Sequence, residues 1–391
     1  MAESCDVAVI GGGAIGSAVA FFLLEKGFPG RVAIIERDPS YRFASSALSA
    51  SSIRQQFSTR VNIALSRFGI DFLRQAEDRL QVDGDRPSLG LKEAGYLFLA
   101  SPEGRSILDI NHLVQRAAGA DVAVLRPEEL QKHFPWLNTE GLAAGSLGLT
   151  GEGWFDGPGL MQAFRRKAQS LGARYLAQEV TGIERDGVRV AALRTGDGSK
   201  LVCGTVVNAA GPQAGTIAEM AGLTLPVEPR KRCVFVFDCK EELKDCPLVI
   251  DTSGVWFRPE GPRFIAGISP PPDRDPANPD FEVDHALFDE IVWPALAARV
   301  PAFEAIKVTS SWAGHYEYNT FDQNGVVGPH PEVANFLFAN GFSGHGIQQS
   351  PAVGCALAEW IMERKYRSVD PSDLGYERIP EGRPLRELNI V

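Results

Sequence analysis

Apolar residues crowd the start of the chain in two short runs, Val7 to Ile10 and Val32 to Glu36, separated by the longer apolar stretch Ala14 to Lys26. Runs that short predict buried strands and the longer stretch predicts a helix, so the segment reads as a βαβ unit. A mainly helical stretch follows from Arg60 to Leu80, and "GYLFLA", Gly95 to Ala100, predicts a strand outside that unit. Further on, the turns Asp186-Gly187 and Asp197-Gly198 separate three strand-like runs, a β-meander whose last strand ends in "NAAG".

From about Leu225 to Ser311 the strand-like runs "CVFVFD", "GVWFRP" and "RFIAGI" precede the loop "SPPPDRDPANPD" and a helix near Asp284 to Arg299. This pattern predicts an antiparallel sheet with a covering helix. Asn335 to Phe342 then returns to a buried strand that leads into "GFSGHGIQQSP", Gly341 to Pro351. Ser350 is a favoured N-cap and Pro351 suits a first helical position, so a closing helix is expected to begin there. The predicted organisation is a discontinuous nucleotide-binding domain (1–85, 150–224 and 320–391) and a second domain built by insertions (86–149 and 225–319).

Composition narrows the function. The 391 residues are 44% hydrophobic and carry a formal net charge of -10 without a compensating basic run, which argues against a nucleic-acid partner. The six cysteines show no CxxC and no zinc-type spacing with histidine, so free thiols in a reducing compartment are expected and no metal site. The first apolar run holds the glycine loop, so it reads as neither a signal peptide nor a membrane span, and a cytoplasmic location is expected.

The strongest chemical motif is Gly11-x-Gly13-x-x-Gly16 between the first strand and helix, with Ala14 and Ile15 inside it and Glu36 and Arg37 ending the second strand. Its glycines allow a pyrophosphate to approach the helix N-terminus, and Glu36 can accept hydrogen bonds from ribose hydroxyls. The unit implies an adenine dinucleotide. A nicotinamide domain would continue with further βα units, so the β-meander favours FAD. The second glycine-rich turn supports this, since a helix N-terminus facing the N1 and C2 carbonyl region would stabilise a reduced flavin.

These motifs, with "SSIRQQF", "GYLFLA", "NAAG" and "NFLFANGFSGHG", make the chain resemble the DAO family of FAD-dependent oxidoreductases, which includes monomeric sarcosine oxidase, glycine oxidase and D-amino acid oxidase. Within it, "SSIRQQF" followed by "NIALSRFGIDFLR" looks most like the FAD-dependent oxidoreductase domain-containing proteins and their bacterial relatives. The resemblance implies a fold of mixed α/β and α+β type: a glutathione-reductase-like Rossmann FAD domain with a β-meander, and an antiparallel-sheet substrate domain. It also implies oxidation of an amine or amino-acid C–N bond, by hydride transfer to flavin N5. It places Ser45, Ser46, Ala47, Val180, Ala210, Gly211 and the segment Gly341, Phe342, Ser343, Gly344, His345, Gly346, Ile347 and Gln348 along the cofactor. Arg54 matches the arginine that holds a substrate carboxylate, a task suited to a bidentate guanidinium.

Three positions depart from sarcosine oxidase. His315 stands where that enzyme has the cysteine bonded to its flavin, so noncovalent FAD is expected. Gln348 replaces a lysine that helps bind the carboxylate. Ile265 replaces the lysine that promotes oxygen reduction, which favours a dehydrogenase passing electrons to a carrier protein or quinone. Tyr96, Trp256, Arg258, His315, Tyr316, Glu317, Tyr318 and His345 are further candidates, the aromatics to cage an ammonium and Arg258 as a second carboxylate anchor. Oxidation of a 2-hydroxy acid, a noncatalytic flavin-bound assembly role and a nicotinamide-dependent dehydrogenase are the competing readings. Failure to bind FAD would sink all but the last.

Overall fold

The computed structural model describes residues 3–388. The first strand, Glu3–Ile10, is flanked by parallel partners on both sides: Val32–Glu36, then Arg174–Ala177 beyond it, and on the other side Lys200–Asn208, followed by Phe336–Asn340. Val326–Pro329 closes that edge antiparallel, and the meander strands Val180–Asp186 and Arg189–Thr195 attach to Lys200–Asn208. This is the nucleotide-binding sheet, with the three meander strands separated at the two Asp-Gly turns as expected.

Helix Ala14–Glu25 and the closing helix Gly346–Glu363 pack against one another over this sheet. Their approach is close because position 354 is glycine: a Cβ there would lie 2.7 Å from the backbone of Ala18. Beyond them Phe21, Phe22, Phe72 and Phe164 form an aromatic cluster, with Phe72 stacked on Phe164 at 5.2 Å. The predicted helix from Arg60 to Leu80 is broken into Arg60–Leu73 and the single turn Ala76–Arg79.

The second sheet runs Lys307–Asn319, Val227–Asp238, Arg263–Gly267, Trp256–Glu260, Leu248–Ile250, Tyr96–Ala100, Ala144–Gly148 and Val122–Leu125. It is antiparallel throughout except at one point. Leu248–Ile250 pairs parallel with Tyr96–Ala100, because the chain enters this sheet twice from the other domain and the two visits meet in the same direction. Phe235, Phe237, Phe257 and Phe303 fill its core, fully buried. The covering helix is not continuous: Asp284 caps its start by accepting from Leu287 N–H at 3.3 Å, and a π-helical stretch, Phe288–Val292, precedes Trp293–Arg299. The long strand Lys307–Asn319 belongs to this sheet yet brings His315 and Glu317 to clefts bordered by the glycine loop.

Candidate active site

The glycine loop borders a cleft of about 500 Å³ whose walls include Gly11, Gly13, Glu36, Ser45, Ala210 and Gly211. Two of its glycines are demanded by packing. At Gly11, where φ is +97°, a Cβ would lie 2.3 Å from the Ala209 carbonyl oxygen, and at Gly16 it would lie 2.0 Å from the Gly11 carbonyl oxygen. Gly13 is different, since a Cβ there would meet only Ser46 Oγ at 3.3 Å. Its bare backbone leaves room for a bound group. Glu36 accepts from Gly12 N–H at 2.8 Å and Asp38 N–H at 2.9 Å, and borders a smaller adjoining cavity with Arg37, Val180 and Ala210.

A second cavity of about 130 Å³ continues from the first. The loop Ser49 to Ser52 forms one side, Arg232, Trp256 and Tyr316 another, and Gly344, Gly346 and Ile347 a third. That third side is a helix start. The closing helix begins at Gly346 with His345 as its N-cap, five residues before the expected start at Pro351. A proline inside a helix leaves the carbonyl four residues back without its amide partner. Here that carbonyl belongs to Ile347, and the Ser350 hydroxyl donates to it at 2.9 Å. Ser350 is therefore a repair within the helix rather than its cap, and the first-turn amides begin at Gly346, since His345 N–H donates to the Phe342 carbonyl at 3.0 Å.

Both cavities suit FAD. The loop offers a close backbone approach, the helix start offers amides, and Ser45, which lines both cavities, has a buried hydroxyl with no partner among the described residues. Ser46 Oγ instead accepts from Ala14 N–H at 3.1 Å.

Arg54, His345 and Gln348 come together in one buried cluster next to the lining residues Ser52, Gly344 and Ile347. The Gln348 side-chain oxygen accepts from Arg54 N–H at 2.9 Å. The Arg54 guanidinium donates to the Gln56 carbonyl, lies 3.1 Å from His345 Nε2, and covers the Phe57 ring at 4.0 Å. It forms no ion pair among the described residues, an unusual condition for a group only 2% exposed. Glu152 anchors the same segment, accepting from Gln55 N–H, Gln56 N–H and the Gln56 amide at 2.5, 3.0 and 2.8 Å. Burial pushes its carboxyl up to about 7.

His315 lines both cavities, with Nε2 2.7 Å from the Asp280 carbonyl and its ring on Phe281 at 4.2 Å. A carbonyl accepts only, so Nε2 carries the proton. Tyr318 lines neither cavity and lies under Arg230 at 5.1 Å. Arg258 faces a separate cleft with Trp154 and Ile265, donating to the Ala50 carbonyl at 2.6 Å and pairing with Glu260. Ala47 lies in a turn, its N–H on the Ala44 carbonyl, and Phe342 is core. Gly341 takes φ +79°, and Ser343 Oγ accepts from Asn319 N–H at 3.0 Å.

Sequence reasoning missed Arg232. It lines the second cavity, is held bidentately by Asp275 at 2.7 and 3.0 Å, and lies over Tyr316 at 5.0 Å. Period-two alternation separates Arg230 and Arg232 from Lys231 but does not say which arginine reaches the cavity.

Residues 6–360 match the family model for FAD dependent oxidoreductases, DAO, and the chain belongs to that family. Over its whole length it is 45% identical to FAD-dependent oxidoreductase domain-containing protein 1 of Xenopus laevis, covering 85% of that protein. Glycine oxidase of Geobacillus kaustophilus is 30% identical over 95% of this chain and 96% of the relative. Among solved structures, L-proline dehydrogenase from P. horikoshii superposes with a TM-score of 0.87 at 26% identity, over 98% of this chain and 100% of that one. The protein is thus an FAD-dependent oxidoreductase with a Rossmann-like FAD domain and a substrate domain. No helix among the described residues is long and apolar enough to cross a membrane.

Proposed function

We propose that the protein oxidises the C–N bond of a carboxylate-bearing amine, such as a secondary, N-methyl or D-amino acid, and passes the electrons to a carrier protein or quinone. The observation that carries this reading is Arg54: a buried guanidinium without an ion pair among the described residues calls for an anion. A substrate carboxylate meets that need and fixes the substrate's orientation. The relatives support the substrate class, being named glycine oxidase and L-proline dehydrogenase.

FAD, held noncovalently by the glycine loop, Glu36, Ser45 and the closing helix start, supplies a hydride acceptor. The chain's own residues bind and orient. His345 stays neutral beside Arg54, so the pair keeps a single positive charge. Tyr316 and Trp256 offer aromatic faces to a substrate ammonium. Arg232, already paired with Asp275, is the only arginine or lysine lining the ring cavity among the described residues. With Arg232 neutralised by Asp275 and Arg54 engaged by the substrate carboxylate, no cation is left over to promote oxygen reduction, which supports a dehydrogenase. We place the reaction in a reducing compartment, the cytoplasm, in keeping with six cysteines that are all free.

The test is anaerobic addition of N-methyl, D- and L-amino acids, and of 2-hydroxy acids, to the FAD-loaded protein while following the visible flavin absorption. Bleaching by an amino acid supports the reading, and bleaching by hydroxy acids alone overturns it.

A further inference from the structure

With the diphosphate over the glycine loop and the isoalloxazine at the closing helix start, the junction of the two cavities takes what links them in FAD, the ribityl chain. Six residues line both cavities: Ala14, Ile15, Ser45, Ser46, His315 and Glu317. Ala14 and Ile15 bring apolar side chains. Ser46 Oγ is engaged by Ala14 N–H, and His315 Nε2 by the Asp280 carbonyl. Only the Ser45 hydroxyl and the Glu317 carboxyl keep uncommitted side-chain oxygens at this junction.

Glu317 is 8% exposed, and its Oε2 is buried with no hydrogen-bond partner among the described residues. The other oxygen lies 2.9 Å from where a Cβ on Gly346 would sit, and Oε2 lies 4.0 Å from the equivalent point on Gly211. Glycines of two cofactor-binding segments thus make room for this carboxyl. We propose that Glu317, in its protonated form, hydrogen-bonds the ribityl hydroxyls of bound FAD, so that cofactor affinity falls as the carboxyl ionises.

The surrounding charges favour the neutral acid. On the paired strand Val227–Asp238, Arg230 pairs with Glu228, Lys231 with Asp280 and Arg232 with Asp275. On the closing turn His345 faces Arg54, and on its own strand His315 is engaged by Asp280. The glycine loop, Gly11 to Gly16, carries no titratable side chain, and the Gly211–Gln213 turn carries none. Arg37 borders the first cavity without an ion pair but is not among the groups acting on Glu317, and none of these other cations is left to pair with it among the described residues. Burial pushes its carboxyl up to about 8, with the Gly341 and Phe342 amides opposing the rise. A neutral carboxylic acid both donates and accepts, which matches a polyol. Its ionised form would have lost the donor and would repel the neighbouring diphosphate. Below about pH 8 affinity is therefore constant, and above it each pH unit weakens FAD by up to about tenfold.

The test is titration of the FAD-stripped protein with FAD and with ADP, which lacks the ribityl chain and ring, from pH 6 to about 9.5, followed by flavin fluorescence quenching and calorimetry. Glu317→Leu is expected to weaken FAD by about tenfold or more while ADP stays within about twofold, the scale of a lost buried hydrogen bond. Glu317→Gln, which keeps donor and acceptor without titrating, is expected to bind FAD tightly and without the decline above about pH 8. Equal FAD affinity in wild type and Glu317→Leu overturns the proposal, as does a parallel loss of ADP and FAD. If Glu317→Leu does not fold, identical pH profiles for wild type and Glu317→Gln overturn it. Wild type that binds no FAD at all would instead defeat the cofactor assignment on which the proposal rests.

Discussion

The Arg54 guanidinium lies 3.1 Å from Nε2 of His345, with both side chains buried. A ring nitrogen facing a permanent cation must be the acceptor, so His345 carries its proton on Nδ1. Burial first, and Arg54 second, push its pKa down to about 3. With His345 neutral, the pair carries the single positive charge of Arg54, as the proposed carboxylate anchor requires.

Arg54→Ala should raise KM for an amino-acid substrate by about tenfold to a hundredfold, the loss of a charge-assisted hydrogen bond of about 1.5–3 kcal/mol. Arg54→Lys should recover little, because an ammonium cannot reproduce the contacts to Gln56 and His345 together. Steady-state kinetics against an amino acid and its decarboxylated amine check this. The amine should be poor with wild type and indifferent to either substitution.

His345 also leaves a mark on stability. Its folded pKa of about 3 lies below the ordinary value of 6.5, so the unfolded chain binds the extra proton first. Its contribution is complete above about pH 6.5 and declines towards pH 3, by up to about 1.4 kcal/mol per pH unit. Denaturant melts of wild type and His345→Asn should diverge as pH rises from 4 to 6.5, wild type gaining more. Parallel curves would contradict the assigned protonation.

The Ser350 repair of the closing helix can be tested by a double-mutant cycle. Ser350→Ala leaves the buried Ile347 carbonyl unpaired and should cost about 1–3 kcal/mol. Pro351→Ala restores a backbone N–H at the right position, so in the Ser350→Ala background it should recover most of that loss. Additive costs in thermal melts would show that the hydroxyl is not serving the proline.

The same stretch shows where sequence reading stops. Val7 to Ile10, the glycine loop and the Asp-Gly meander are legible because runs, turns and motif spacing are local properties. Ser350-Pro351 is locally indistinguishable from a helix start, and only the hydroxyl's bond to Ile347 reveals a helix that began at Gly346. The meeting of Tyr96–Ala100 with Leu248–Ile250, some 150 positions later, was invisible for a different reason: pairing across such a distance leaves no periodic trace. Arg258 and Arg232 make the same point about sites. Both are buried arginines on neighbouring parts of one sheet, yet Arg258 turns to a cleft with Trp154 and Arg232 to the cofactor cavity. Elements marked by local motifs are readable in the sequence, whereas the side-chain directions set by sheet register are not.

The most direct test of the account is anaerobic reduction of the bound flavin by an amino acid, followed by reoxidation with air or with an artificial electron acceptor. A carboxylate-bearing amine should bleach the visible flavin absorption, Arg54→Ala should abolish this at the same concentration, and the dye should restore the colour far faster than air. Full FAD occupancy with no bleaching by any amino acid or amine would contradict it, and prompt recovery in air would contradict the dehydrogenase assignment.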